Sequence, residues 1–600
     1  MNILLILILT LVFFWLAYRF YGSYISRAIG IDEKKATPAH TMRDNHDYIP
    51  AHPYVLLGHH FAAIAGAGPI VGPTIALFYG YIPVWLWILI GTIFFGAVHD
   101  YTSLFVSVRE GGRSMAEVAS RTMGKSGFIL FILFTIVMIV LVTSAFLGLT
   151  AKALTSLAPL SMLKLGADQV WLATEMQDGI LKAKIGGIAS TSVILMTMAA
   201  PLIGFLLYKR KTSIWIMTAL AVFIATFSII FGFNFPLSVD VNIWMLILSI
   251  YVLFAAGVPV WLLLQPRDFI NVHILYAGLA ALGAAIVSSG LQGLTLKAPA
   301  FNIAEASGHF SLGSIFPVLF ITIACGAISG FHALVAGGTS SKQLGSEKEA
   351  RPIAYGAMLI EGVLAVCVFI AVGAGLQFAD YRALVFPMEA AASNPILAFA
   401  IAVGNILYMG LHIHPAFGTI LGILLVEGFV ITSLDAAVRL NRYLFEELWR
   451  ALFKNPPAFL KSYIFNSGIS VILMLGLGAS NAYITIWPIF GTANQLLAAL
   501  TLTCISAWLL IRRKPVWFTV IPALFMIAST FTSLIMLLFQ KYLPTKNYPL
   551  VIADLFLLLL SFALIAKAAD LFTRHFREKR GETLEHEEEE EHLADEIHLG

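Results

Sequence analysis

The chain has 600 residues, 59% of them hydrophobic and only 12% charged, with a formal net charge of +3. A soluble domain carries roughly 25% charged residues, so the composition excludes an ordinary soluble enzyme, and so small a charge gives no electrostatic footprint for nucleic acid. The three cysteines, Cys325, Cys367 and Cys504, lie in apolar stretches without CxxC or zinc spacing, so neither a disulfide framework nor a cysteine metal site is expected.

Apolar runs of about 20 residues, each long enough to cross a bilayer, recur along the sequence. In chain order the expected spans are 3–20, 53–78, 84–108, 128–150, 188–208, 213–233, 242–264, 270–290, 314–338, 354–376, 415–437, 464–480, 484–511, 516–539 and 550–572. The expected fold is therefore an all-α polytopic membrane protein of about fifteen transmembrane helices. No positive charge precedes the first run and no small-residue cleavage pattern follows it; Arg19, Arg27, Lys34 and Lys35 come after. That order favours a retained anchor with its N-terminus outside.

Charge distribution tests the count. Lys209, Arg210 and Lys211 form a tight basic loop and should be cytoplasmic. Working outward, 21–52, 109–127, 265–269, 339–353, 439–463, 512–515 and the C-terminus fall on the same side, and each carries lysine or arginine. Residues 395–411, PILAFAIAVGNILYMGL, are apolar enough to span, but a span there would put Arg439, Arg442, Arg450, Arg512, Arg513 and Lys514 outside. They read as a short or re-entrant helix on the outer side, with sixteen spans as the alternative. The organisation is then an anchor and cytoplasmic loop (1–52), a transporter core (53–378), the rest of that core with the re-entrant segment (379–511), C-terminal helices (512–572) and an acidic, histidine-containing disordered tail (573–600). The tail reads as solvated chain, with weak metal sensing as the alternative.

Two stretches are too rich in glycine for a plain membrane helix. GHHFAAIAGAGPIVGP, 58–73, should interrupt the second span at 66–73, and CGAISGFHALVAGGTSSKQL, 325–344, repeats its order of glycine, histidine and small residues in a span of opposite direction. In a bilayer, broken helix is tolerated only where it lines a cavity or is buried in protein. The freed N–H groups at such a break suit a carboxylate, and two breaks in oppositely directed segments are what an inverted-repeat transporter presents. Gly66, Gly68, Gly72, Gly337, Gly338 and Thr339 are the expected substrate-binding positions. A glycine-rich packing interface is the competing reading. A third break is expected within WPIFGTANQ, 487–495, where Asn494 and Gln495 either bind substrate or bond a neighbouring helix.

Ionisable groups inside spans are functional candidates by default. His59, His60, His332, Glu361 and Glu427 are the candidates for proton coupling, because imidazoles and partly dry carboxylates titrate near neutrality; satisfied interior hydrogen bonds are the alternative. His99 and Asp100 form a further adjacent pair. His59 and His60 point about 100° apart on a helix and make a poor chelating pair. Asp435 and Arg439, one turn apart, read as a structural ion pair. No P-loop, HExxH motif or nucleotide-binding loop is visible. No catalytic residue, metal or cofactor is expected, and a secondary transporter follows.

The first glycine stretch, the second, AYGAMLIEG (354–362), TSLDAAVRLNRYLFEE (432–447) and WPIFGTANQLLAALTL (487–502) together resemble the signature blocks of the carbon starvation protein A (CstA) family, in family order. The resemblance implies uptake of peptides or, in some branches, of pyruvate with protons. It also implies location in the cytoplasmic (inner) membrane and the two inverted five-helix repeats of the LeuT- and APC-type transporters. Span 2, with His59, His60, Gly66 and Gly68, would be the first broken helix. The chain departs from the family where many members read D-T-A-x-R, against Asp435, Ala436, Ala437, Val438 and Arg439 here, and A-S-G-T-S-S-K, against AGGTSSK at 336–342. Seven span positions, rather than five, separate the two breaks. The expected partners are a small substrate (peptide or pyruvate), protons and the lipid bilayer, with sodium coupling, a nutrient sensor or a histidine-ligated metal or haem protein as alternatives; composition gives no oligomeric state.

Overall fold

The computed structural model describes residues 1–44, 48–177, 179–210, 212–259, 261–309, 312–387, 393–481 and 483–579. The chain is almost wholly helical. Its main helices are α1 (Ile3–Ile29), α2 (Pro53–Ile64), α3 (Gly68–Ala76), α4 (Tyr81–Arg109), α5 (Met115–Leu154), α6 (Ile185–Lys209), α7 (Ile214–Asn234), α8 (Val241–Gly257) and α9 (Leu264–Leu291). They continue as α10 (Ile315–Thr322), α11 (Phe331–Val335, running on through Ala336–Ser340 and Ser341–Gln343), α12 (Glu347–Gly375), α13 (Pro395–Leu411), α14 (Pro415–Leu452), α15 (Tyr463–Ser480), α16 (Tyr483–Ile511), α17 (Trp517–Tyr542) and α18 (Tyr548–Lys579). The departure from an all-α chain is a small antiparallel sheet between α5 and α6, in which Ile180–Ala183 lies between Ala158–Pro159 and Thr174–Gln177.

Among the described residues twelve helices are long and apolar enough to span a membrane, or thirteen if the bent pair α2–α3 is one span. The expected count of fifteen is corrected at two places. The seventh expected span, 242–264, is the 17-residue α8, which stops at Gly257 with Pro259 following. The ninth, 314–338, is not one helix at all but α10 and α11 separated by the non-helical stretch 323–330. The expected third break at 487–495 is absent: α16 runs unbroken through Pro488. Pro488 lies in the second turn, where the missing N–H forfeits only one early ladder bond.

Helix α13 is packed antiparallel on the first half of α14; Gly404 sits against Gly418 and Gly422 against Ala400. Its 17 residues leave it out of the spanning set. The last helix runs on past 572 to Lys579, and the acidic stretch from 580 lies outside the described residues.

Packing separates core from periphery. The apolar windows of α12 and α16 are 89% buried, while those of α7 and α1 are 22% and 33% buried. Trp15, Phe20, Trp215, Phe223 and Phe254 are exposed on the outer helices, as side chains facing lipid tails should be.

One end of the bundle, here the basic end, carries Arg109, Arg121 and Arg512. At the basic end Arg109 donates to the Gly30 carbonyl at 2.9 Å and pairs with Glu347 at 2.6 Å, and Arg512 pairs with Glu110 at 2.8 Å. At the opposite end the Leu296 amide donates to the Met1 carbonyl and that of Asn302 to the Tyr79 carbonyl.

Candidate functional site

The two broken segments lie side by side and antiparallel. At the basic end the Ala51 amide, just before α2, donates to the Gln343 carbonyl at the end of α11 at 3.0 Å. At the far end the Tyr79 hydroxyl, just after α3, donates to the Gly313 carbonyl, just before α10, at 2.7 Å. Midway, the breaks themselves meet. A Cβ on Gly68 would fall 2.3 Å from the Cβ of Cys325, and one on Gly72 would fall 2.6 Å from the Thr322 carbonyl oxygen. Contacts that short exclude any side chain.

The first break is confined to 65–67, with a 44° bend between its halves. The Ala65 and Gly66 amides are satisfied by Phe61 and Ile64. Among the described residues the amides of Ala67 and Gly68, at the start of α3, have no protein partner. Gly66 and Gly68 are therefore at the break, whereas Gly72 is inside α3 and serves its close approach to the second segment.

The second break is splinted from outside. Gln495 on α16 donates to the Phe320 carbonyl at 2.7 Å, in the last turn of α10. The neighbouring Asn494 accepts from the Phe331 amide at 3.0 Å through its side chain and from the Gly330 amide at 3.0 Å through its carbonyl, at the first turn of α11. Its amide group also donates to Ser329 Oγ at 3.0 Å. Thr92 on α4 donates to the Gly326 carbonyl at 3.0 Å. Freed helix ends must find such partners. Asn494 and Gln495, expected as substrate contacts, spend their hydrogen bonds on the backbone of the break. Gly337, Gly338 and Thr339 lie past the break, toward the basic end, where Gly337 packs on the backbone of Arg113 and Ser114.

A chain of buried ionisable side chains adjoins the crossing. His99 Nδ1 is 2.8 Å from one oxygen of Asp100, and His332 Nδ1 is 2.8 Å from the other. His332 Nε2 is 3.4 Å from Glu361. All four residues are fully buried. Neither Glu361 oxygen has a hydrogen-bond partner among the described residues, and the same holds for His99 Nε2. A Cβ on Gly326, next to Cys325, would fall 2.9 Å from that of Ala365, one turn past Glu361 on α12, which ties this chain to the second break. His60 is buried beside it, with Nδ1 2.8 Å from Ser340 Oγ on α11.

A second buried cluster joins α8, α9 and α14. Arg267 pairs with Asp435 at 2.6 Å, and the Tyr251 hydroxyl donates to Asp435 at 2.9 Å while also contacting the Arg267 guanidinium. Asp268 accepts from Thr432 at 2.9 Å. The expected Asp435–Arg439 pair is corrected: Arg439 instead donates to the Ala255 and Val258 carbonyls at 2.7 and 2.6 Å, capping the end of α8. Helical spacing made Arg439 the local choice, but the guanidinium that reaches Asp435 comes from another helix. Glu427 is buried on α14, eight residues before Asp435, and among the described residues makes no ion pair with the His332 chain, whose carboxylates are Asp100 and Glu361.

The histidine doublet diverges. His60 is buried and faces Ser340, while His59, the preceding residue on α2, is exposed. Adjacent helical residues point about 100° apart. Among the described residues no three His, Cys, Asp or Glu side chains converge to hold a metal. A cavity of about 560 Å³ is lined by none of these ionisable side chains; its apolar walls include the exposed Leu11, Tyr54 and Ile360, a groove on the lipid face.

His60, His332 and Glu361 thus come together as expected candidates. Asp100, which links His332 to His99, was visible in sequence only as half of an adjacent pair. Arg267, Tyr251 and Ser340 carried no signal in the sequence.

A many-helix membrane bundle with two discontinuous segments crossing at a buried ionisable site is an arrangement suited to a membrane transporter. The chain belongs to the family described as Carbon starvation protein CstA, whose model matches residues 2–393 and 387–533. A peptide transporter CstA of Bacillus subtilis (strain 168) is 33% identical over 535 residues, covering 84% of each chain. The pyruvate/proton symporter BtsT of Escherichia coli (strain K12) is 30% identical over 607 residues, covering 87% of this chain and 80% of that one. Among solved structures, a manganese transporter mutant of Eremococcus coleocola aligns with 87% of this chain and 96% of its own at 12% identity and a TM-score of 0.39.

Proposed function

We propose that this CstA-type transporter imports small carboxylate-bearing nutrients, short peptides or pyruvate, by proton symport. The observation that carries the reading is the antiparallel crossing of two broken segments beside the His99–Asp100–His332–Glu361 chain. The unpartnered amides of Ala67 and Gly68 sit at the positive end of α3, which suits a carboxylate. Glu361, within reach of His332 and otherwise without hydrogen bonds, is the group that takes and releases the proton. Asp100 holds the His332 ring by Nδ1 and so leaves Nε2 toward Glu361. His60, buried, and His59, exposed, offer the route between the crossing and the protein surface. The relatives named as a peptide transporter and a pyruvate/proton symporter support the substrate class.

The basic end is the cytoplasmic one in this reading. The N-terminus is then outside, and α18 ends in the cytoplasm.

The test is uptake into proteoliposomes of labelled dipeptide and labelled pyruvate in parallel, under an imposed inward proton gradient without sodium. Accumulation of one of them assigns the substrate and the coupling together. Accumulation that appears only after sodium is added removes the histidine chain from the mechanism.

A further inference from the structure

At the basic end, the ends of α1, α4 and α16 enclose a polar cavity of about 170 Å³, lined by Ile29, Gly30, Lys35, Phe105, Arg109, Trp508, Arg512 and Lys514. That is space for about five waters. Its charges are unbalanced. Glu347 holds Arg109 at 2.6 Å, and Glu110 holds both Arg512 at 2.8 Å and Arg121 at 2.7 Å. Two carboxylates therefore serve three arginines. Lys35 and Lys514 have no carboxylate partner among the described residues.

The arginines are also fixed in place. Arg109 donates to the Gly30 carbonyl at 2.9 Å, and Arg512 stacks on the Trp508 ring at 3.8 Å. Lys514 Nζ approaches Gly30 closely, 2.7 Å from where a Cβ would sit, which places its ammonium at the solvent-exposed mouth of the cavity. Preorganised guanidinium groups with an ammonium above them are a setting for a tetrahedral oxyanion, which arginine contacts with two donors and lysine as a point charge. The site is near the membrane interface. On the same end of α1 and α17, Trp517 donates to the Tyr24 hydroxyl at 2.9 Å, with Tyr21 beside them, an aromatic group of the kind that marks the headgroup level.

We infer that this cavity binds a phosphate group, with Lys35 and Lys514 closing over the anchored Arg109 and Arg512. A phosphodiester in an anionic lipid headgroup and a free phosphate share that chemistry, and basic pockets between helices on the cytoplasmic side take such headgroups.

The full-length protein is reconstituted in nanodiscs of phosphatidylcholine, and its thermal midpoint is read in two arms. One arm adds phosphatidylglycerol to the disc; the other adds inorganic phosphate to the buffer. A ligand that binds the folded state raises the midpoint. A rise in the first arm alone assigns a lipid headgroup, and a rise in the second assigns soluble phosphate. In Lys35→Gln/Lys514→Gln the apparent affinity should fall on the order of 25-fold, about fivefold for each lysine. Lys461→Gln, on an exposed lysine outside the cavity, should leave it unchanged. If the double variant does not fold, each single variant is read in the same way. No rise in either arm, or a rise that the lysine variants retain, overturns the assignment.

Discussion

Gly68 and Cys325 touch where two interrupted helices cross, and there is no room between them for a methyl group: a Cβ on Gly68 would lie 2.3 Å from that of Cys325. The contact is backbone against the root of a side chain, so no rotamer change relieves it. Gly68→Ala should therefore destabilise the protein by about 1–3 kcal/mol, the range for forced overpacking, and abolish uptake. Adding Cys325→Gly removes the opposing atom and should recover a large part of both losses. Gly283→Ala, where nothing lies within 4 Å, should be silent. Thermal midpoints in detergent together with proteoliposome uptake read all three. Equal effects at 68 and 283 would refute the crossing.

Asp435 depends on Arg267 and not on Arg439. Removing one partner of a buried ion pair leaves an uncompensated charge, worth about 3–5 kcal/mol. Asp435→Asn should cost that much, and a double-mutant cycle with Arg267→Gln should show strong coupling. The same cycle with Arg439→Gln should be close to additive, with Arg439→Gln alone costing about 1–3 kcal/mol through the exposed carbonyls of α8. Urea or thermal unfolding of the four variants measures it.

Asn494 spends its hydrogen bonds on the second break. Asn494→Ala should lower stability by about 1–3 kcal/mol by leaving the Phe331 amide unsatisfied, while substrate affinity at saturating protein stability, measured by calorimetry below the midpoint, changes little. A large affinity loss with an unchanged midpoint would return Asn494 to the substrate.

Glu361→Gln keeps the shape of the site but carries no exchangeable carboxyl proton. Substrate counterflow, which needs no net proton movement, should survive within about threefold, while accumulation driven by a proton gradient should disappear. His60→Gln should also uncouple uptake from the gradient with binding retained. Unchanged gradient-driven accumulation in either variant would exclude that residue from coupling.

The parts legible in the sequence were those that a bilayer makes expensive. Glycine runs inside apolar stretches announced both breaks, and the buried His60, His332 and Glu361 stood out because charge inside a membrane has few other reasons to be there. What stayed hidden was partnership. A polar pair such as Asn494 and Gln495 looks the same in sequence whether it faces a ligand or a neighbour's carbonyl. Asp435 with an arginine four residues on invites a local pairing that only a third helix overrules. The longer helix count came from judging length and hydropathy alone: α8 is apolar but stops at Gly257, and 314–338 runs from one end of the bundle toward the other as two short helices around an unwound centre.

Asn494 and Gln495 are consecutive, yet one secures the end of α10 and the other the start of α11. That makes α16 a ruler whose graduation cannot be moved. Inserting or deleting a single residue between Tyr483 and Asn494 would turn both side chains by about 100° and shift them 1.5 Å along the axis, unfastening two helix ends at one stroke. The eleven positions leading up to Asn494 cannot change in number.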